Sequence, residues 1–134
     1  MQYEIVIEYT KQAKKNIKKL HISDKYLSLI KDEVSYFIKA LGKRKGVSKI
    51  DFPPELGFES TLYVFMIKSD FDAVLTIDED PIFEQILVKV FSVGPPEKVV
   101  REINRIYRSL INQIINGLED EEADTDGEEN NGRN

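Results

Sequence analysis

Nine cations within the first 49 residues offer the most direct chemical possibility in this chain. Lys11, Lys14, Lys15, Lys18 and Lys19 follow at helical spacing, and Lys43, Arg44, Lys45 and Lys49 form a second group. Each phosphate that such a face neutralises adds salt-dependent affinity for a nucleic-acid backbone. No aromatic side chains are interleaved with these lysines to stack bases, so any such contact is expected to be weak and non-specific. A solvated helix face and a solvated loop are the competing reading.

Other constellations point less clearly to chemistry. His21 is the sole histidine and follows the lysine-rich stretch, with no serine or cysteine nucleophile evident beside it, which reads as a helix-ending surface residue. Asp70, Asp72, Asp78, Glu79 and Asp80 resemble a metal cluster in composition, but three are contiguous where a hairpin turn is expected, and Asp favours local backbone bonding there. Glu122, Asp124, Asp126 and Gly127 mimic the start of a calcium loop, yet its twelfth position is Arg133 rather than a bidentate acid. Neither a metal nor any other cofactor is expected.

The chain has 134 residues, 41% of them apolar, which suits one modest core with a tail. Cysteine is absent, so disulfides, thiol nucleophiles and thiolate metal sites are excluded. No basic N-terminus leads into an apolar signal core, and no apolar run approaches the ~20 residues that span a bilayer. Cytoplasmic placement is expected. The net charge of −5 hides an asymmetry: residues 1–49 carry twelve Lys/Arg against five Asp/Glu, whereas residues 119–134 carry one against eight. An acidic overall charge therefore does not exclude a basic working face.

Periodicity assigns the elements that would position these residues. Tyr3, Ile5, Ile7 and Tyr9 alternate with Glu4 and Glu8 as a strand with one wet face. Thr10 can cap a short basic helix carrying Ala13, Ile17 and Leu20, and Ser23 or Asp24 can cap a second helix whose stripe is Leu27, Ile30, Val34, Phe37, Ile38 and Leu41, ending at Gly42. Prolines and glycines argue against regular structure from Lys43 to about Ser60. Leu62 to Lys68, Phe71 to Ile77 and Ile82 to Val93 read as three strands of an antiparallel meander, the second turn being Asp78 to Pro81. After Gly94-Pro95-Pro96, the residues Val99, Ile103, Ile106, Leu110, Ile114 and Leu118 recur as one face of a long helix, and Tyr107 fits beside them as core. The expected architecture is one α+β domain over residues 1–118, built on a twisted antiparallel sheet, with a disordered acidic tail over 119–134. Folding of that tail over the basic N-terminal region is a further possibility.

The order β-α-α-β-β-β-α, with Tyr63 to Lys68, Phe71 to Asp78 and the ending Leu87-Val88-Lys89-Val90-Phe91-Ser92-Val93-Gly94, resembles the RelE/ParE superfamily of bacterial type II toxin–antitoxin toxins over roughly residues 1–105. The resemblance implies an N-terminal strand, a helical hairpin, an antiparallel meander and a C-terminal helix. It also implies either ribosome-dependent mRNA cleavage, as in RelE-type members, or binding to a protein target, as in ParE-type members. The two lysines on the inward face of the family's second strand match Val64 and Met66 here, and the third-strand arginine falls at about Asp72. The arginine two residues after the glycine is Pro96, and the tyrosine eight after it is Glu102. Activating a 2′-hydroxyl and stabilising a phosphorane require bases and cations that these replacements do not supply.

The resemblance therefore implies action by protein binding, on an antitoxin or a cellular target, without an intact ribonuclease set. One alternative is an mRNA interferase with a relocated site built from Lys68, Lys98, Arg101 and Arg105. Another is a non-toxic regulatory module whose basic face, Lys11, Lys14, Lys15, Lys18, Lys43, Arg44 and Lys45, meets nucleic acid. The apolar stripe of the last helix could also fill its own groove or join two copies.

Overall fold

In the computed structural model, residues 3–43, 45–57, 59–68 and 70–123 are described, with 118–123 as backbone only. The chain separates into two compact units, residues Met1–Glu102 and Ile103–Asn134. The first holds β1 (Glu4–Tyr9), α1 (Lys11–Lys19), α2 (Asp24–Lys39), β2 (Val47–Lys49), β3 (Leu62–Lys68), β4 (Phe71–Asp80) and β5 (Gln85–Gly94). Helix α3 (Pro96–Ala123) begins in the first unit and makes up the described part of the second.

The five strands form one sheet in the order β1-β5-β4-β3-β2. The meander β3-β4-β5 is antiparallel, as its short connections require. The sheet as a whole is mixed, which corrects the expectation of an antiparallel one, because β1 pairs parallel to β5 from Glu4↔Gln85 to Tyr9↔Val90. The chain reaches that position only after running through both helices and the meander, so no local turn signal reveals the pairing.

Thr10 caps α1 as its sequence position suggests, its hydroxyl accepting from the Ala13 N–H at 3.1 Å. Ser23 occupies the N-cap of α2 without a side-chain cap bond. Past the end of α2, Leu41 and Gly42 take positive φ, and the Gly42 N–H returns to the Phe37 carbonyl at 3.0 Å. Leu41 consequently leaves the apolar stripe and is 88% exposed.

Helices α1 and α2 cover one face of the sheet. Ala13, Ile30, Val34 and Phe37 pack there with Phe65, Ile67, Ala73, Leu75, Val88 and Val90, while Tyr3, Ile5, Ile7 and Tyr9 close the margin. Glu4 and Glu8 are exposed, so the alternation of the first strand is realised. The Phe37 ring meets Phe65 and Tyr63 edge-on, at centroid distances of 5.4 and 5.1 Å.

Three further expectations change. The segment from Lys43 to Ser60 contains the three-residue strand β2 and a 3₁₀ turn at Pro54–Leu56. Gly46 adopts φ +82°, and its carbonyl accepts from the Met66 N–H at 2.7 Å, bringing β2 into register with β3. The β4–β5 turn lies at Pro81 to Glu84, since Asp78, Glu79 and Asp80 extend β4 and pair with Leu87, Ile86 and Gln85. Ile82 and Phe83 thus sit in the turn. Helix α3 continues through Glu119 to Ala123, where the sequence reading begins the tail; Glu and Ala are good helix formers. The rest of that tail, including the calcium-like positions from Asp124 onward, lies outside the described residues.

Candidate functional site

Alternation along β3 and β4 places one set of side chains away from α1 and α2. Val64 pairs with Val74 and Met66 with Asp72, so these four lie side by side on the second face. Ser48 extends the row at Val64, while Ser92 and Gly94 pair with Val74 and Asp72 from the other side. Val74 is fully buried and Val64 is half-buried, but Met66 is 55% exposed. Burial pushes the Asp72 carboxyl above its ordinary value of 3.8, because desolvation penalises its charged form. The surface is apolar with one reluctant anion.

The residues of the relocated-site reading are not all brought to this patch. Lys68 follows an irregularity in the β3–β4 register, and its ammonium stands 5.3 Å from the centroid of the Tyr26 ring on α2. Tyr26 is itself stacked on Phe71 at 5.0 Å and 8°. Lys98 is half-buried in the opening turns of α3, its Cδ 3.7 Å from where a Cβ on Gly94 would stand. Arg101, one turn on, is exposed. Arg105 is exposed on the second unit, where the Arg108 Nε bonds the Asn104 carbonyl at 3.4 Å. Tyr107 is half-buried.

Lys11, Lys14, Lys15 and Lys18 are exposed on α1, and Lys43 and Lys45 are exposed beyond α2; Arg44 lies outside the described residues. Lys49 differs from this group. Its ammonium bonds the Glu59 carboxylate at 2.7 Å, which raises the lysine pKa and lowers that of the glutamate, so its charge is already answered. His21 is exposed with φ +55°, the turn residue that ends α1. Among the described residues, no group of three or more His, Cys, Asp or Glu is placed to hold a metal ion.

Sequence reasoning did not identify a buried polar cluster that anchors α1 to β5. Asn16 Oδ1 accepts from the Val93 N–H at 3.1 Å. The Ser92 hydroxyl donates to the Glu102 carboxylate. Asn16 is 1% and Ser92 0% exposed, so the Asn16–Val93 bond stands where water cannot replace it. The available signals were an asparagine three residues after Ala13 on the inward stripe of α1, and a serine interrupting the apolar end of β5. Glu102 serves in this cluster as a hydrogen-bond acceptor.

No protein-family model matches the sequence, and no curated protein matches it. In structure the chain is similar to a YoeB/ParE toxin from Agrobacterium tumefaciens, at 8% identity and a TM-score of 0.46, over 71% of this chain and 98% of that one. It is similar also to YafQ from E. coli, at 13% identity and a TM-score of 0.46, covering 72% and 98% of the two chains. A third similarity is to a YoeB dimer from Staphylococcus aureus, at 19% identity and a TM-score of 0.44, covering 68% and 95%.

Proposed function

We propose that this chain is a divergent RelE/ParE-like protein that acts by binding a protein partner, an antitoxin or a cellular target, through the face bearing Val64 and Met66. The observation that carries the reading is the paired set Val64↔Val74 and Met66↔Asp72. This set is apolar and anionic at positions where the resemblance implies cations. A phosphorane gains charge as it forms and requires donors or cations around it. Val64, Met66 and a carboxylate provide neither, while an apolar segment of a partner can bury the exposed Met66 and the half-buried Val64 at a gain of about 25 cal/mol per Å² of apolar surface. The amine of Lys68, engaged with Tyr26, weighs in the same direction.

A second reading, a regulatory module meeting nucleic acid, draws on the exposed row Lys11, Lys14, Lys15 and Lys18. The two readings use different surfaces and separate cleanly. Affinity capture of the tagged full chain from a bacterial host, compared with Met66→Glu, tests the first: a protein recovered by the parent chain and lost with the variant is the expected result. Capture that is indifferent to Met66→Glu and abolished by Lys14→Glu and Lys18→Glu together would transfer the function to α1.

A further inference from the structure

Helix α3 carries its charges in two separate blocks. Between residues 103 and 118 the sequence has no Asp or Glu, and its cations are Arg105 and Arg108, both exposed. Between residues 109 and 123 it has no Lys or Arg, and Glu119, Asp120, Glu121 and Glu122 follow one another in the closing turns. The exposed polar residues between the blocks, Ser109, Asn112, Gln113 and Asn116, are neutral.

This order opposes the electrostatics of the helix itself. The free carbonyls at a helix C-terminus amount to about half a negative charge, so cations are favoured in the last turn and anions in the first. The last turn of α3 has no basic residue, and four acids lead into it. A nearby cationic surface relieves that conflict. The helix also has apolar residues that the chain leaves partly open: Ile111 and Ile114 are half-buried and Ile115 is 39% exposed. Their spacing sets them along one side of α3, with Arg108 a turn before Ile111.

A two-fold axis sets one surface of a chain against the same surface of its copy, so that surface must complement itself. With the axis crossing α3 between residues 113 and 114, position 105 of one copy stands level with position 122 of the other, and position 108 with position 119. The basic block then faces the acidic block twice, and Ile111, Ile114 and Ile115 of both copies gather about the axis. A parallel pair would instead set like charge against like. We propose that this chain self-associates through α3, two copies of the helix packing antiparallel over this apolar centre with the Arg105–Arg108 turn of each facing the acidic turn of the other. Positions 105 to 122 span about 25 Å at 1.5 Å per residue, so one straight stretch of helix holds the whole contact. The contact uses α3 and not the Val64–Met66 face, so its failure would leave the proposed function untouched.

Sedimentation velocity on the full chain over a rising concentration series tests the proposal, with circular dichroism confirming that each variant is folded. The expected result is a concentration-dependent dimer that weakens as salt is raised. Arg105→Glu with Arg108→Glu makes both ends of the contact acidic and should weaken the dimer at least about tenfold. Glu119→Arg with Glu122→Arg should weaken it comparably, although cations near a C-terminus favour the helix itself. All four substitutions in one chain exchange the two blocks and should restore the dimer, and mixing the two double variants should give a mixed dimer. Sedimentation as a monomer at every concentration, a dimer that neither double variant weakens, or no recovery in the fourfold variant would overturn the proposal.

Discussion

Phe65 and Met66 are neighbours on β3 with opposite surroundings. Phe65 is fully buried under α2 with its ring edge-on to Phe37, whereas Met66 is 55% exposed and paired with the half-buried Asp72. The same alternation repeats on β4, where Ala73 belongs to the helix-covered core and Asp72 to the other face. One face of the sheet is covered by helices along its length. The other is buried at Val74 but leaves Met66 in solvent, with little return in stability from that side chain.

That contrast can be broken by substitution. The largest effect is expected at the covered face, where Phe65→Ala should cost about 3–5 kcal/mol of stability in urea unfolding. Met66→Ala should stay within about 0.5 kcal/mol, as surface changes do; a Met66 cost approaching that of Phe65 would mean the second face is structural after all. Next in size is Asn16→Ala, which leaves the buried Val93 N–H without its acceptor and should cost about 1–3 kcal/mol. A neutral result there would show that the cluster is ornamental to the attachment of α1.

The smallest effect sharpens the comparison through pH. Burial raises the Asp72 carboxyl pKa in the fold, so above the ordinary value of 3.8 the unfolded chain releases a proton that the folded chain still holds. Stability contributed by the neutral Asp72 is therefore present at low pH and lost as pH rises through the folded pKa. Asp72→Asn should show a slightly higher melting temperature than the parent at neutral pH and no advantage below the carboxylate range. An advantage that persists at low pH would assign the effect to something other than this carboxyl.

Much of this fold was legible because its signals are local. Thr10 before a lysine-rich apolar stripe and the alternation from Tyr3 to Tyr9 each name an element from residues in sequence contact. The misplaced features depend on partners far along the chain. β1 takes β5 as its parallel neighbour, and β2 is three residues long, too short for periodicity to declare. Asp78 to Asp80 have the composition of a turn but are held in β4 by pairing with Gln85 to Leu87, leaving Pro81 to Glu84 as the turn. Of the candidate face, the resemblance marks Val64, Met66 and Asp72 only as positions lacking its cations, whereas their adjacency needs the register and the Asn16–Ser92–Glu102 cluster needs three dimensions.

The central claim, action by binding without RNA cleavage, is tested most directly by transcript integrity after the full chain is induced from a tightly repressed promoter in a bacterial host, with growth and soluble protein followed in the same cells. Intact transcripts are the predicted result, whether growth stops through a protein target or continues. Transcripts cut upon induction, and spared when Lys98→Ala and Arg101→Ala are introduced together, would contradict the account and place a working ribonuclease site on α3.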